Sequence, residues 1–256
     1  MTERLRGKTA LITGSTSNIG RAIALAFGTE GAHVLVSGRD RERGAAVVDE
    51  IRMAGGTADF VPADLDGGAA ASRALAAAAV AKGGGRLDIL VNNAGIYPRA
   101  TTLMVDDDLF DRMYGVNVKA PFFLTQAVIP GMIAAGGGVI VNLGSWVARL
   151  GVASGALYSS TKGAMETLTR AWSAEFGQEG IRVNAISPGV ILAPEGDPAI
   201  EETAGVMMRG TPAGATGRPD AIAAAAIYLA SDDAAFVHGT VLDVDGGRTG
   251  VAVVAG

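Results

Sequence analysis

Short runs rich in β-branched and other apolar residues alternate along the chain with longer stretches whose apolar positions recur every three or four residues. Residues 9–13 (TALIT) and 33–37 (HVLVS) are runs of the first kind, and residues 19–30 between them carry apolar side chains at helical spacing. This predicts a strand, a helix and a second strand. Further strands are predicted at 58–62, 87–91, 138–142, 181–186 and 241–244, each separated from the next by a helical segment. Strands that alternate with helices imply a parallel sheet covered on both faces, so the expected fold is α/β in three layers. In such a sheet the ligand crevice lies at the carboxyl ends of the strands, where their order reverses.

The alanine-rich stretch 69–81, followed by glycines at 83–85, is read as a helix with a glycine stop rather than a linker, because alanine has the highest helix propensity and glycine is favoured just past a helix end. The glycines at 136–138 separate a helix from a strand in the same way. The longest apolar run, 221–230, is about half of what a bilayer crossing requires, so it is expected as a buried helix and no membrane span is predicted. No repeat recurs at a fixed period.

With 256 residues the chain can bury one substantial core, and residues 1–256 are expected to form a single domain. A formal net charge of −5 provides no basic field to attract a phosphate backbone, so a nucleic-acid partner is not expected. The absence of cysteine excludes disulfides, thiolate catalysis and zinc–thiolate sites. Only His33 and His238 could supply imidazole, and no metal is expected. The charged start, MTERLRGK, lacks the apolar run and cleavage site of a signal peptide, which leads us to expect a cytoplasmic protein.

Candidate chemistry sits where these elements meet. The segment TGSTSNIG, with Gly14, Ser15, Thr16, Asn18, Ile19 and Gly20, follows the first strand and opens the first helix. A turn without bulky side chains lets a pyrophosphate approach the free N–H groups of a helix start. Asp64, followed by Leu65, comes after the third strand and could accept the exocyclic amine of adenine. Asn92-Asn93-Ala94-Gly95 closes the fourth strand, where amides can tie strand ends together and small residues leave room for a ribose. Tyr158 and Lys162 lie one turn apart on one face of a helix expected over 155–176. An adjacent cation can lower a tyrosine pKa by roughly 1–3 units, which would suit Tyr158 to proton transfer. Ser145 follows the strand 138–142 and could hydrogen-bond a reacting oxygen. Asn117, before Pro121, could be a buried amide holding a helix bend and a water near Lys162. Taken singly, each feature also has a plain explanation: a tight turn, a solvated aspartate, a chance Tyr–Lys pair, a serine cap, a structural amide.

Together and in this order, with Pro188-Gly189, Gly217-Arg218 and VDGG at 244–247, these motifs closely resemble the short-chain dehydrogenase/reductase family over nearly the whole chain. The resemblance implies a seven-stranded Rossmann-type doubly wound sheet. It implies an oxidoreductase that moves hydride between a nicotinamide cofactor and a ketone or secondary alcohol, a small-molecule partner. In that pattern Tyr158 is the acid/base, Ser145 orients the carbonyl, Lys162 holds the nicotinamide ribose and lowers the tyrosine pKa, and Asn117 positions a relay water. Pro188 and Gly189 would lie beside the nicotinamide, with the backbone near Ile191 bonding its carboxamide. Gly38 falls where NAD-preferring relatives usually carry aspartate, and Arg39 matches the basic residue of many NADP-preferring ones. NADP(H) is therefore the expected cofactor, with NAD(H) the alternative.

Three positions depart from the pattern. Asn18 stands where glycine is usual, and asparagine tolerates positive φ better than most residues. Ala193 replaces a threonine that bonds the carboxamide, a contact Glu195 could supply instead. His238 replaces a threonine and is expected to serve packing or an interface. A substrate lid is expected over 192–215, carrying Met207 and Met208. Ile96, Tyr97, Trp146, Val147, Val152 and Leu157 are candidate pocket residues, suggesting a mainly apolar substrate with room for a ring. A homotetramer is expected, pairing the helices corresponding to 103–133 and 155–176, with an apolar tail at 251–254. Two other functions remain: a cofactor-binding regulator without turnover, and an enoyl reductase, although such relatives usually separate tyrosine and lysine by more than four residues.

Overall fold

A computed structural model describes residues 3–193 and 198–252; Glu195 and the last part of the tail lie outside them. Seven strands, β1 (Thr9–Ile12), β2 (His33–Gly38), β3 (Thr57–Pro62), β4 (Ile89–Asn92), β5 (Gly138–Leu143), β6 (Ile181–Pro188) and β7 (Val241–Val244), form one sheet. Their order is β3-β2-β1-β4-β5-β6-β7, and every pairing is parallel. This is the expected doubly wound, Rossmann-type sheet. The fourth strand, expected from residue 87, begins at Ile89. There Asp88 is buried before β4 begins, its carboxylate accepting the Thr9 N–H at 2.8 Å.

Consecutive strand residues bury on opposite faces, which is why the strands are apolar throughout. Ile12, Val36, Val91 and Val141 pack with Ile23 and Phe27 of α1 (Asn18–Thr29), Ile51 of α2 (Arg41–Met53) and Ile222 of α8 (Pro219–Ala230). Their chain neighbours Leu11, Leu35, Leu90 and Ile140 pack on the other face. Their partners are Leu75 of α3 (Ala69–Lys82), Leu124 and Met132 of α5 (Ala120–Ala134), and Met165 and Trp172 of α6 (Ala156–Phe176). The alanine-rich stretch is thus a helix, capped by Gly83, and the 221–230 run is a buried helix that begins with Pro219. No helix among the described residues is long and apolar enough to cross a membrane.

The helix expected within 103–133 is interrupted. A 3-10 turn (Thr102–Met104) precedes α4 (Asp107–Tyr114), and a π turn (Gly115–Lys119) joins α4 to α5. Pro121 accounts for the interruption: it has no N–H to give the carbonyl of Asn117 four residues earlier, so the ladder must loosen there. In the expected lid, α7 (Pro198–Met208) runs into a turn that docks on the end of the chain, the Ala213 N–H donating to Gly246 O at 3.1 Å.

Candidate active site

β1 pairs with β2 on one side and β4 on the other, so the connections leave in opposite directions and open a crevice above their carboxyl ends. The β1–α1 turn forms one wall. Gly14 has φ +63 and Asn18 has φ +45, so asparagine does take the left-handed conformation that glycine would. A Cβ on Gly20 would lie 2.4 Å from Gly14 O and 2.5 Å from Asn93 Nδ2, and one on Gly14 would lie 2.9 Å from Ala94 Cα. The turn is therefore stripped to backbone because it is pressed against the end of β4. Asn93 fixes it there, its Nδ2 donating to Thr13 O at 2.8 Å and Gly14 O at 3.1 Å. Ser17, the N-cap of α1, makes no side-chain cap bond and no acidic residue occupies the first turn, so the helix start is open to an anion.

One cavity of about 510 Å³ runs along the crevice, bordered at this end by Gly14, Thr16, Asn18, Ile19 and Gly20. Beside them lie Gly38 and Arg39 after β2, Asp64 and Leu65 after β3, and Ala94 and Gly95 after β4. Two residues expected at the cavity stand behind its wall. Ser15 is buried, its hydroxyl donating to Ile12 O at 2.7 Å and accepting from the Ser37 N–H at 2.9 Å. Asn92 is also buried, donating to Asn142 Oδ1 at 2.9 Å, and Asn142 donates in turn to Thr169 Oγ1 of α6 at 2.9 Å. This chain of amides ties β4 and β5 to the helix that bears Tyr158. Arg43, absent from the sequence expectations, borders the cavity from the first turn of α2. Its Nε donates to Asp40 at 2.7 Å, and the same carboxylate caps α2 by accepting the Arg43 N–H.

At the other end the cavity is closed by Ile96, Tyr97, Ser145, Tyr158, Lys162, Pro188, Gly189 and Ile191. Ser145 begins the 3-10 turn after β5 and shares a side-chain hydrogen bond with Tyr158. Lys162 is buried, with Nζ donating to Leu143 O at 2.9 Å and lying 5.6 Å from the centre of the Tyr158 ring. Asn117 sits in the π turn, buried just outside the cavity. Its Oδ1 accepts the Ile96 N–H at 2.8 Å, while Nδ2 donates to Ile96 O at 2.8 Å and Thr161 Oγ1 at 3.2 Å. It thereby clamps the loop after β4 to α6. Gly189 is as constrained as Gly20, since a Cβ there would lie 2.6 Å from Asp245 Cα.

Burial dominates the electrostatics of this pair. Burial pushes the Tyr158 hydroxyl up to about 12; its hydrogen bond with Ser145 pulls the other way, and Tyr97 adds a smaller upward push. Burial also holds the Lys162 ammonium down to about 8. Desolvation thus opposes both charged forms and sets the net direction at Tyr158. Trp146 is buried, with the Arg248 guanidinium 4.2 Å over its ring; neither it nor Val147, Val152, Leu157, Met207 or Met208 borders the cavity. His238 is exposed and lies away from it.

The cradle fits a dinucleotide: an uncapped helix start, bare backbone at three glycines, and charged side chains confined to the end beside β2 and β3, apart from buried Lys162. A family model described as Enoyl-(Acyl carrier protein) reductase matches residues 14–249. The D-threitol dehydrogenase of Mycolicibacterium smegmatis is 38% identical over 247 residues, covering 96% of this chain and 94% of that one. A 7α-hydroxysteroid dehydrogenase solved with NADH and 7-oxo glycochenodeoxycholic acid is 40% identical, with a TM-score of 0.89 over 96% of each chain. A gluconate 5-dehydrogenase from Burkholderia cenocepacia J2315, solved with NADP and tartrate, is 35% identical, with a TM-score of 0.89 over 98% of each chain.

Proposed function

This chain belongs to the short-chain dehydrogenase/reductase family, NAD(P)-dependent oxidoreductases acting on CH–OH and C=O groups, and we propose that it moves hydride between NADP(H) and a ketone or secondary alcohol, with Tyr158 exchanging the proton. The observation that carries this reading is the hydrogen-bonded pair of Ser145 and Tyr158, which borders the cavity together with Gly189 and has Lys162 buried beneath it. The substrates in the names of the relatives, a threitol, a gluconate and a hydroxysteroid, share a secondary alcohol.

When bound, the cofactor gives or takes a hydride at the reacting carbon. The residues handle the oxygen. Tyr158, pushed up to about 12, keeps its proton at neutral pH and can donate it to a carbonyl oxygen as negative charge grows there. Ser145 donates a second hydrogen bond to that oxygen. Lys162 spends one of three N–H donors on Leu143 O, leaving two for the tyrosine and a ribose; Gly95, where a Cβ would lie 3.8 Å from Nζ, keeps that side open. Asn117 has committed its side chain, so its role in proton relay falls to the backbone carbonyl that Pro121 leaves without a helical donor.

For NADP(H), the support is Arg39 and Arg43 beside the cavity, with no carboxylate at position 38. Asp40 is engaged by Arg43, and Asp64 approaches Arg39 at 3.9 Å between two exposed side chains, a pair of little strength. A guanidinium pairs with a 2′-phosphate, and a charged hydrogen bond contributes roughly 1.5–3 kcal/mol. Arg39→Ala should therefore weaken NADPH about ten- to a hundredfold and leave NADH nearly unchanged. Titration of both cofactors into both proteins tests this: equal losses, or a wild-type preference for NADH, contradict it. Reduction of an enoyl thioester in preference to any ketone would overturn the carbonyl assignment.

A further inference from the structure

Resting on the carbonyl chemistry proposed for Tyr158, we infer that Tyr97 is a specificity-determining residue, its ring forming a platform for substrates whose reacting carbon belongs to, or adjoins, an alicyclic or aromatic ring. Tyr97 follows the Asn92–Gly95 turn after β4, and its neighbour Ile96 is pinned through both backbone groups to Asn117. The backbone that presents Tyr97 is therefore fixed, yet the residue itself is 73% exposed. A large aromatic left open on the wall of a cavity holds apolar surface that a ligand in the cavity can cover. Its ring centre is 6.1 Å from that of Tyr158, with the planes tilted by 57°, so a group held against the Tyr97 ring lies next to the hydroxyl that exchanges the proton.

The rest of the cavity supports an uncharged occupant at this end. Arg39, Asp40, Arg43 and Asp64 border the cavity beside β2 and β3, whereas its end at Tyr97 is bordered by Ile96, Ser145 and Tyr158. Lys162 is the one cation at the reacting end among the described lining residues, and it is buried on Leu143 O. Among the described lining residues, no charged side chain other than Lys162 stands at this end to pair with a charged acid. A flat or chair-shaped ring would instead cover the exposed face of Tyr97, an aromatic contact that adds to its area burial.

The test compares 2-tetralone with 2-butanone in wild type, Tyr97→Phe and Tyr97→Ala, reading the ratio of kcat/KM for the two ketones and, by ligand-observed NMR on cofactor-loaded protein, the ratio of their affinities. Wild type is expected to favour 2-tetralone, Tyr97→Phe to keep that ratio within about twofold, and Tyr97→Ala to lower it about tenfold. An unchanged ratio in Tyr97→Ala, or a wild type with no preference for the ring, overturns the inference. Should wild type turn over neither ketone, the proposed reaction fails, and the binding ratio alone still decides the role of Tyr97. A loss in Tyr97→Phe equal to that in Tyr97→Ala assigns the effect to the hydroxyl and also overturns the platform.

Discussion

Tyr158 and Lys162 show how burial shifts the ionisation of neighbouring groups. Lys162 gives up its proton at about 8 in the folded chain against an ordinary 10.5, so between those values the unfolded chain binds more protons. Stability then rises with pH through that window. Tyr158, raised from 10 to about 12, acts oppositely and only above 10, where the unfolded chain loses a proton that the fold retains. In cofactor-free protein at pH 7 the buried ammonium should cost on the order of 3 kcal/mol. Lys162→Met should accordingly be more stable than wild type at pH 7, with the gap narrowing from pH 8 to 10. Denaturant midpoints at several pH values check this, and parallel curves for the two proteins contradict it. The pairing of Tyr158 with Lys162 was legible from spacing, because a four-residue interval places two side chains on one helix face, whereas Ser145 was singled out by the family resemblance. Their charge states were not, since desolvation depends on packing that no local pattern encodes.

The helices and strands position these groups, and they differ in how visible they were. Strands were plain because both faces are buried, so Leu11 and Ile12 or Leu90 and Val91 serve opposite cores. The π turn at Gly115–Lys119 left one sign in the sequence, Pro121, and it places Asn117 where its side chain reaches both Ile96 and Thr161. Ser15 and Asn92 looked like cavity residues because they stand within the right motifs; they serve behind the wall, and Arg43 stands on it instead. The clue to Arg43 was its place in the first turn of the helix that follows β2. Pro121→Ala restores an N–H that Asn117 O can accept, so the turn should relax toward regular α-helix and shift Asn117. Turnover is expected to fall about tenfold or more with the melting temperature unchanged or higher, since small misplacements at a site cost much rate and little stability. Unaltered turnover would show that the π turn plays no part in positioning.

At the scale of the whole molecule, exposed aromatics and aliphatics gather on opposite faces of the sheet. Phe122 and Ile133 of α5 are 38% and 36% exposed on one face; Tyr228 of α8 is 38% and Phe236 100% exposed on the other. A homotetramer is the expectation: patches on opposite faces, each pairing with its own copy about a twofold axis, would close one. Light scattering at micromolar concentration should report four copies, and a monomer would contradict this. In the reaction proposed above, one cavity serves two tasks: cofactor binding beside β2 and β3, and chemistry about Tyr158 and Ser145 beside Lys162. The measurement that tests this division most directly is Tyr158→Phe, assayed for ketone reduction and, in the same preparation, for NADPH affinity. Turnover should fall at least about a thousandfold, since acid–base help is worth roughly 10²–10⁴-fold and placement of the oxygen is also lost, while NADPH binds as in wild type. Near-normal turnover in that variant would contradict the account.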